Sequence, residues 1–423
     1  MDETHKQHGE FKKHHKQERG RTFEMDSHGG PRDGRDVEAG SLDLKRQPRV
    51  LYGTDIRTAL PNLVAERGWT RVLPVVTPSL APSPLVTDAL ETLGASALKG
   101  FTRVKAHTPF DVVLDLAARI RDAQADAVVV IGGGSAIDAV KIAALAAGAG
   151  ISDPAGLLAL RAVPDAAGVL HPSPGNRTGV AIIAVPTTLS GAEFGLIGGA
   201  TEVEKGIKHL YRADTLAPDI VVYDPALALA TPLDLWLSTG VRSIDHAVET
   251  VLSRDANPFT DALALHALTL LRQGLGAAKR HPADARARHE GQLGNWLAAS
   301  GIGRVRYGAS HGIGHQLGAV AGVPHGITSC VLLPAVLAFN EAFAPDRDQA
   351  IAAAFDRPGT PAAQAVRDFI ASLGLPVRIA DLGVARTDLT RIAETSLGNA
   401  FVRANLRPVA GAADLKAILE AAW

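Results

Sequence analysis

Between Arg49 and Tyr223 short apolar runs alternate with amphipathic stretches, and after Pro232 those runs cease. This division limits the possible folds more than any other feature of the chain. Residues 72–76, 127–131, 180–185 and 220–223 read as strands, the inner ones apolar throughout. Residues 85–93, 110–123 and 135–147 read as helices between them. Apolar strands of four to six residues alternating with helices predict a parallel sheet covered on both faces. Beyond Thr231-Pro232 every periodic stretch has helical spacing: 235–252, 260–279, 285–300, 311–320, 329–343 and 361–373. The expected class is therefore α/β plus all-α, with an N-terminal Rossmann-like parallel-sheet domain over 50–230 and a C-terminal helical domain over 231–423. Aromatics make up 4% of the chain, so both cores must be built from Ala, Val, Leu and Ile.

Residues 1–49 differ from the rest. They hold 11 basic and 10 acidic residues and five of the 15 histidines, with almost no apolar periodicity. Such a segment buries too little surface to offset its ordering entropy and is expected to be a disordered, solvated tail. Residues 151–178, rich in Gly, Pro and Asp, read as an excursion between a helix and the next strand. A net charge of −1 gives no electrostatic case for nucleic acid or an anionic membrane. The single Cys330 excludes an intramolecular disulfide and a cysteine-based metal site. No apolar run reaches the ~20 residues that span a bilayer. A soluble cytoplasmic globular protein is the expectation.

Three motifs carry chemistry. The first is the strand 128–131 followed by Gly132-Gly133-Gly134-Ser135 and then Asp138. Glycines admit close backbone approach, and a helix capped by Ser135 would offer free N–H groups to a phosphate. It is neither G-x-G-x-x-G nor a P-loop, and a tight strand-to-helix turn is the plain alternative. The second is Pro186-Thr187-Thr188-Leu189-Ser190-Gly191-Ala192-Glu193, directly after a strand. Hydroxyls at Thr187, Thr188 and Ser190 suit a ribose, a phosphate or a carboxamide, although ordinary turn chemistry uses the same residues. The third is His311 and His315 at i,i+4, with His325 after Pro324 and His246 in an earlier helix. One helical face presents both of the first pair, and neutral imidazoles suit Zn, Fe, Ni or Cu. Each histidine alone reads as a hydrogen-bonded interior residue; their clustering points to a functional site.

These motifs, their order and the ending Asn405-Leu406-Arg407-Pro408 resemble the iron-containing alcohol dehydrogenase family over roughly residues 50–423. That family includes maleylacetate reductases and is related to glycerol dehydrogenase and dehydroquinate synthase. The resemblance implies NAD(P) in the sheet crevice and substrate in the cleft between the domains. It implies that Gly132, Gly133, Gly134, Ser135 and Asp138 contact the nucleotide, that Thr187, Thr188 and Ser190 lie near the nicotinamide, and that Lys208 approaches the cofactor. It places His246, His311 and His325 where metal-binding members have three ligands, and His315 close to the reacting carbon.

Arg242 departs from the family pattern. It stands where metal-binding members carry an Asp, four residues before the first His. A permanent cation repels a divalent ion and cannot ligate it. Asp245, about 100° further round the helix from His246, reads as a poor replacement. Two residues separate Thr188 from Gly191, a compact spacing that resembles the maleylacetate reductase branch, whose members work without metal; Arg242 fits neither branch cleanly. No carboxylate stands at Thr77-Pro78, which admits NADPH as well as NADH. The expected protein is an NAD(P)H-dependent oxidoreductase of aromatic-compound catabolism that reduces the carbonyl or enoate of a small anionic substrate. Its expected catalytic residues are Arg242, His246, His311 and His315. Fe or Zn at His246, His311 and His325 is expected to be absent. No nucleic-acid or membrane partner is expected, and a two-domain cleft enzyme of this kind could form a homodimer. A metal-dependent alcohol dehydrogenase is the alternative, with an NAD-using lyase of the dehydroquinate synthase type further away.

Overall fold

The computed structural model describes residues 47–163, 170–174 and 179–423. The tail reading for 1–49 falls almost wholly outside these residues, as do parts of the 151–178 excursion. Among the described residues seven strands form: β1 (Arg49–Tyr52), β2 (Val72–Val76), β3 (Ala127–Gly132), β4 (Ala181–Pro186), β5 (Ile197–Glu202), β6 (Ile207–Arg212) and β7 (Ile220–Tyr223). Five of them make one sheet in the order β1-β7-β4-β3-β2, parallel throughout. Helices α1 (Ile56–Arg67), α2 (Pro84–Glu91), α3 (Phe110–Asp122), α4 (Gly134–Gly148), α5 (Pro154–Leu160) and α6 (Pro225–Ala228) belong to this half.

The strand period of two assigns each face of the sheet. Val128 and Val130 of β3 pack with Leu116 of α3 and Ile137 of α4. Their alternates Val129 and Ile131 pack with Leu60 and Leu63 of α1 and Val86 of α2. Both faces are covered, which explains why these strands are apolar at every position rather than at alternate ones.

The chain after Pro232 is helical: α7 (Leu233–Val251), α8 (Pro258–Arg280), α9 (Ala285–Ala299), α10 (Ala309–Ala321), α11 (His325–Asn340), α12 (Pro345–Ala354), α13 (Ala362–Ser372), α14 (Asp388–Ser396), α15 (Ala400–Ala404) and α16 (Ala412–Ala421). Trp236, Val241 and Val248 of α7 meet Leu268, Leu271 and Leu275 of α8 in one core. A second core joins Ile313 and Leu317 of α10 to Val331 and Val336 of α11 and to α14 and α16. The segment His325–Phe343 is the one described stretch long and apolar enough to cross a membrane, and most of it is packed inside the fold.

Several elements depart from the sequence reading, which placed neither β1, α1 and α6 nor the helices α12, α14, α15 and α16. The antiparallel hairpin β5–β6 was not foreseen, and it carries Lys208. The excursion contains α5. Helix α4 begins one residue earlier than expected, with Gly133 and not Ser135 as its N-cap. Ser135 therefore sits inside the first turn, where its side chain cannot cap.

Candidate active site

The C-terminal ends of β2, β3 and β4 lie side by side, since Val76 pairs with Ile131 and Gly132 with Pro186. Thr77, Gly132 and Thr187 thus form one edge, the place where parallel sheets bind ligands. None of the three glycines has a positive φ. Close approach requires them instead. A Cβ on Gly132 would lie 2.0 Å from Thr77 Oγ1, one on Gly133 would be 3.2 Å from Thr188 Oγ1, and one on Gly134 would be 2.7 Å from Ser190 Oγ. The glycine turn and the threonine loop are therefore pressed together, and Thr77 Oγ1, Thr188 Oγ1 and Ser190 Oγ are buried there without a hydrogen-bond partner. Gly133 offers no side-chain cap, so the first N–H groups of α4 remain for a ligand as well. Orphaned hydroxyls beside an uncapped helix start are the donor set that a dinucleotide's phosphates and carboxamide require. Thr77 entered the sequence reading only as the place of a missing carboxylate; its hydroxyl in this cradle was not foreseen.

Lys208 lies on the neighbouring hairpin, and Asp138 of α4 reaches across to it. Asp138 Oδ2 accepts from Gly199 N at 3.1 Å, tying α4 to β5. The stem of Lys208 lies across Gly199, where a Cβ would be 2.1 Å from its Cε. Lys141, fully buried, donates to the carbonyls of Ala192 (3.0 Å) and Ile197 (2.7 Å) and so holds the segment after the threonine loop. His107 and Thr108 are consecutive non-glycine residues with φ of 62° and 53°. The Thr108 hydroxyl donates to Ser135 O (3.1 Å) and the Thr201 hydroxyl to His107 O (2.6 Å), which fixes this uncommon conformation against the start of α4.

The helical half holds the threonine loop from the other side. Thr231 Oγ1 donates to Thr187 O at 2.5 Å, Thr239 Oγ1 accepts from Leu189 N at 3.2 Å, and Ser243 Oγ donates to Leu189 O at 3.0 Å. One residue before Ser243 stands Arg242, nearly buried. Its Nη1 reaches Asp245 Oδ2 at 3.3 Å and Ser329 Oγ at 3.1 Å.

The histidines form two pairs. His246 and His311 have ring centroids 5.0 Å apart, with Tyr307 against both at 5.7 and 4.6 Å. His315 and His325 are 5.9 Å apart, and His325 is exposed. Desolvation holds the imidazole pKa of His246 well below its usual value, with the charges of His311 and Arg242 adding to the effect. Desolvation, followed by the Arg242 charge, brings His311 down to about 3; His315 reaches about 3 for the same two reasons, helped by His311 and Lys208. All three are neutral imidazoles at pH 7.

His246, His311 and His325 do not converge. Among the described residues, the one group of three His, Cys, Asp or Glu side chains with ligand atoms mutually within 4.8 Å is Asp245, Glu249 and His311. His311 Nδ1 lies 2.6 Å from Glu249 Oε2 and 3.5 Å from Asp245 Oδ2. The reading of Asp245 as directed away from the site is therefore corrected: its helix position is 100° from His246, but α10 brings His311 to that face. Glu249 went unassigned in the sequence reading. Its position four residues after Asp245 and three after His246 was the available signal.

The donor set at His246, His311 and His325 does not fit a divalent ion. The histidines are split into two pairs, and a guanidinium, which repels a divalent ion, stands one helical turn before His246.

Comparison with known proteins supports the same architecture. Residues 47–225 match the family described as iron-containing alcohol dehydrogenase, and residues 236–423 match the Fe-containing alcohol dehydrogenase family, C-terminal. Maleylacetate reductase from Pseudomonas aeruginosa is 30% identical over 358 residues, which is 84% of this chain and 91% of that one. Dehydrogenase FUM7 from Gibberella moniliformis is 32% identical over 408 residues, covering 87% and 94% respectively. The crystal structure of maleylacetate reductase from Agrobacterium tumefaciens superposes with a TM-score of 0.78 at 28% identity, over 92% of this chain and 99% of that one.

Proposed function

The chain belongs to the iron-containing alcohol dehydrogenase family, and from that premise we propose that it is an NAD(P)H-dependent reductase of a small carboxylate-bearing carbonyl or enoate, of the maleylacetate type. Its standing as an oxidoreductase follows from the family; the substrate class rests on Arg242. A guanidinium with free donors in the inter-domain cleft recognises a carboxylate and stabilises negative charge developing beside it. Maleylacetate reductases among its relatives support the same class.

The nicotinamide, when bound, supplies hydride. The residues of the chain do the rest. Thr77, Thr188, Ser190 and the first turn of α4 receive the cofactor's phosphates and carboxamide. Lys141 and Asp138 hold the loops that carry them. With no carboxylate at Thr77-Pro78, the cradle takes NADPH as well as NADH. Arg242 binds the substrate carboxylate, and the neutral imidazole of His311 or His315 hydrogen-bonds the developing negative charge through its N–H, while the proton that the reduced oxygen or carbon takes up comes from water. His246 and Tyr307 wall the cleft against water.

The cluster Asp245, Glu249 and His311 favours a second reading, a metal-dependent dehydrogenase. Weighing against it, Glu249 is already engaged by Gly308 N (3.0 Å) and Ser310 N (2.8 Å), and Asp245 by Arg242 and Ser329. The two readings separate on substrate preference. Arg242→Ala is expected to lower kcat/KM for maleylacetate about 100-fold while changing reduction of a neutral ketone or aldehyde little, because a charged hydrogen bond is lost only for the anion. Equal loss on both substrates would remove Arg242 from carboxylate recognition.

A further inference from the structure

Resting on the reading of Arg242 as carboxylate anchor, we infer that Ser329 and Asp245 are positioning residues, a clamp that fixes the guanidinium so that its Nε–Nη2 edge faces the incoming carboxylate.

The hydrogen-bond directions determine the arrangement. Ser329 has one hydroxyl hydrogen, and its Oγ lies 2.6 Å from Asp245 Oδ2, an acceptor; the hydrogen goes there. The serine lone pairs then accept from Arg242 Nη1 at 3.1 Å. Asp245 Oδ2 lies 3.3 Å from the same Nη1, and because Oγ and Oδ2 are only 2.6 Å apart the two oxygens share one Nη1 hydrogen. Nη1 is thus anchored to protein through a bifurcated hydrogen bond. Among the described residues, no acceptor binds Nε or Nη2 of Arg242. A guanidinium has three edges, and the Nε–Nη2 edge is one that binds a carboxylate bidentately. Clamping Nη1 leaves that edge whole.

The clamp spans two helices. Arg242 and Asp245 are i,i+3 on α7, and Ser329 comes from α11, one turn after His325. The contact therefore holds the guanidinium in register with the helix that begins at His325. Asp245 is completely buried with Oδ1 unpartnered, an arrangement that burial alone disfavours and that the adjacent cation offsets. An arginine swinging freely would sample many rotamers and bind an anion less tightly, since orienting a long side chain costs entropy at the moment of binding. The clamp is formed before substrate arrives.

The test uses the full-length chain with NADH and maleylacetate. Ser329→Ala is expected to raise KM for maleylacetate about tenfold with kcat within about threefold, and to leave NADH affinity and the thermal midpoint nearly unchanged. Ser329→Thr, which keeps the hydroxyl, is expected to recover most of the KM. Arg242→Lys is expected to remain impaired, because an ammonium offers no planar edge. Added guanidinium ion is expected to restore part of the activity of Arg242→Ala, and less than half as much in the Arg242→Ala, Ser329→Ala double variant. Should Ser329→Ala fold poorly, Asp245→Asn reads the same KM. If Arg242→Ala is impaired but Ser329→Ala and Asp245→Asn keep the wild-type KM, the clamp is overturned and the anchor stands. If Arg242→Ala itself keeps full activity on maleylacetate, the anchor reading has failed instead.

Discussion

Glu193 shows how much chemistry a single residue can hide from sequence inspection. It ends the threonine loop motif, and its Oε1 accepts from Tyr223 Oη and from Asn295 Nδ2, both at 2.8 Å. Burial raises its pKa above the ordinary 4.5, against the opposing pull of those hydrogen bonds and of the Lys141 charge. A carboxyl whose folded pKa is raised contributes stability below its unfolded pKa, and that contribution is lost as pH rises through the folded value. Glu193→Gln keeps an acceptor at the same place and removes the titration. Its stability relative to wild type is therefore expected to improve between pH 5 and pH 8, as read from urea midpoints at the two pH values; an unchanged pH dependence would show that Glu193 does not titrate in that window. Gly132→Ala is expected to destabilise by about 1–3 kcal/mol and to weaken NADH binding, because its Cβ would overlap Thr77 Oγ1. Urea denaturation and a fluorescence titration check both effects, and full NADH affinity in a folded variant would show that Thr77 can withdraw. The close turn at the glycines and the polar loop at the threonines were legible from their place after apolar strands. The contacts of Arg242 with Ser329, 87 positions away, and of Asn295 with Glu193 were not, because no local spacing encodes them.

At the scale of elements, the helix that carries two of the site histidines is capped from a distance. Gly308, the N-cap of α10, has no side chain to serve the first N–H groups. Glu249 of α7 accepts from Gly308 N and Ser310 N, and Asn405 Oδ1 accepts from Ala309 N at 3.0 Å. A carboxylate also suits the positive end of the helix. Asn405 further donates to Asn340 Oδ1 (2.8 Å) and Arg407 O (2.9 Å), which gives the closing Asn-Leu-Arg-Pro motif its physical role. Asn405→Ala is expected to cost about 1–3 kcal/mol in chemical denaturation and to lower kcat through misplacement of His311 and His315. A stable variant with full kcat would show that Glu249 alone suffices. The buried strands and long amphipathic helices were readable because their apolar period is decided by which faces they cover. The hairpin β5–β6 was not: its β6 strand carries exposed Ile207 and Leu210 and half-buried polar residues, so the period-two signal is weak. The start of α4 was misread for a related reason, since the serine that resembles a cap lies two positions past the residue that acts as one.

At the scale of the whole molecule, the sheet half and the helical half meet through polar side chains at the site. Thr231, Thr239 and Ser243 grip the backbone of 187–189, and Asn295 links Ser243 to Glu193 and Tyr223. The loop that faces the cofactor cradle and the helix that carries Arg242 are thereby one connected assembly. Arg242 stands one helical turn before His246, where the resemblance implies a carboxylate in metal-binding members, and its guanidinium supplies a fixed positive charge. On the proposed reading of Arg242 as carboxylate anchor, the chain reduces an anionic substrate without a divalent ion at the histidines. The decisive measurement is NADH oxidation with maleylacetate by the full-length protein before and after exhaustive treatment with a strong chelator, with bound metal determined on the same samples. An undiminished rate in metal-depleted protein is the expected result. Loss of activity on chelation, restored by iron or zinc in proportion to the metal bound, would contradict it and transfer the catalytic role from Arg242 to an ion at Asp245, Glu249 and His311.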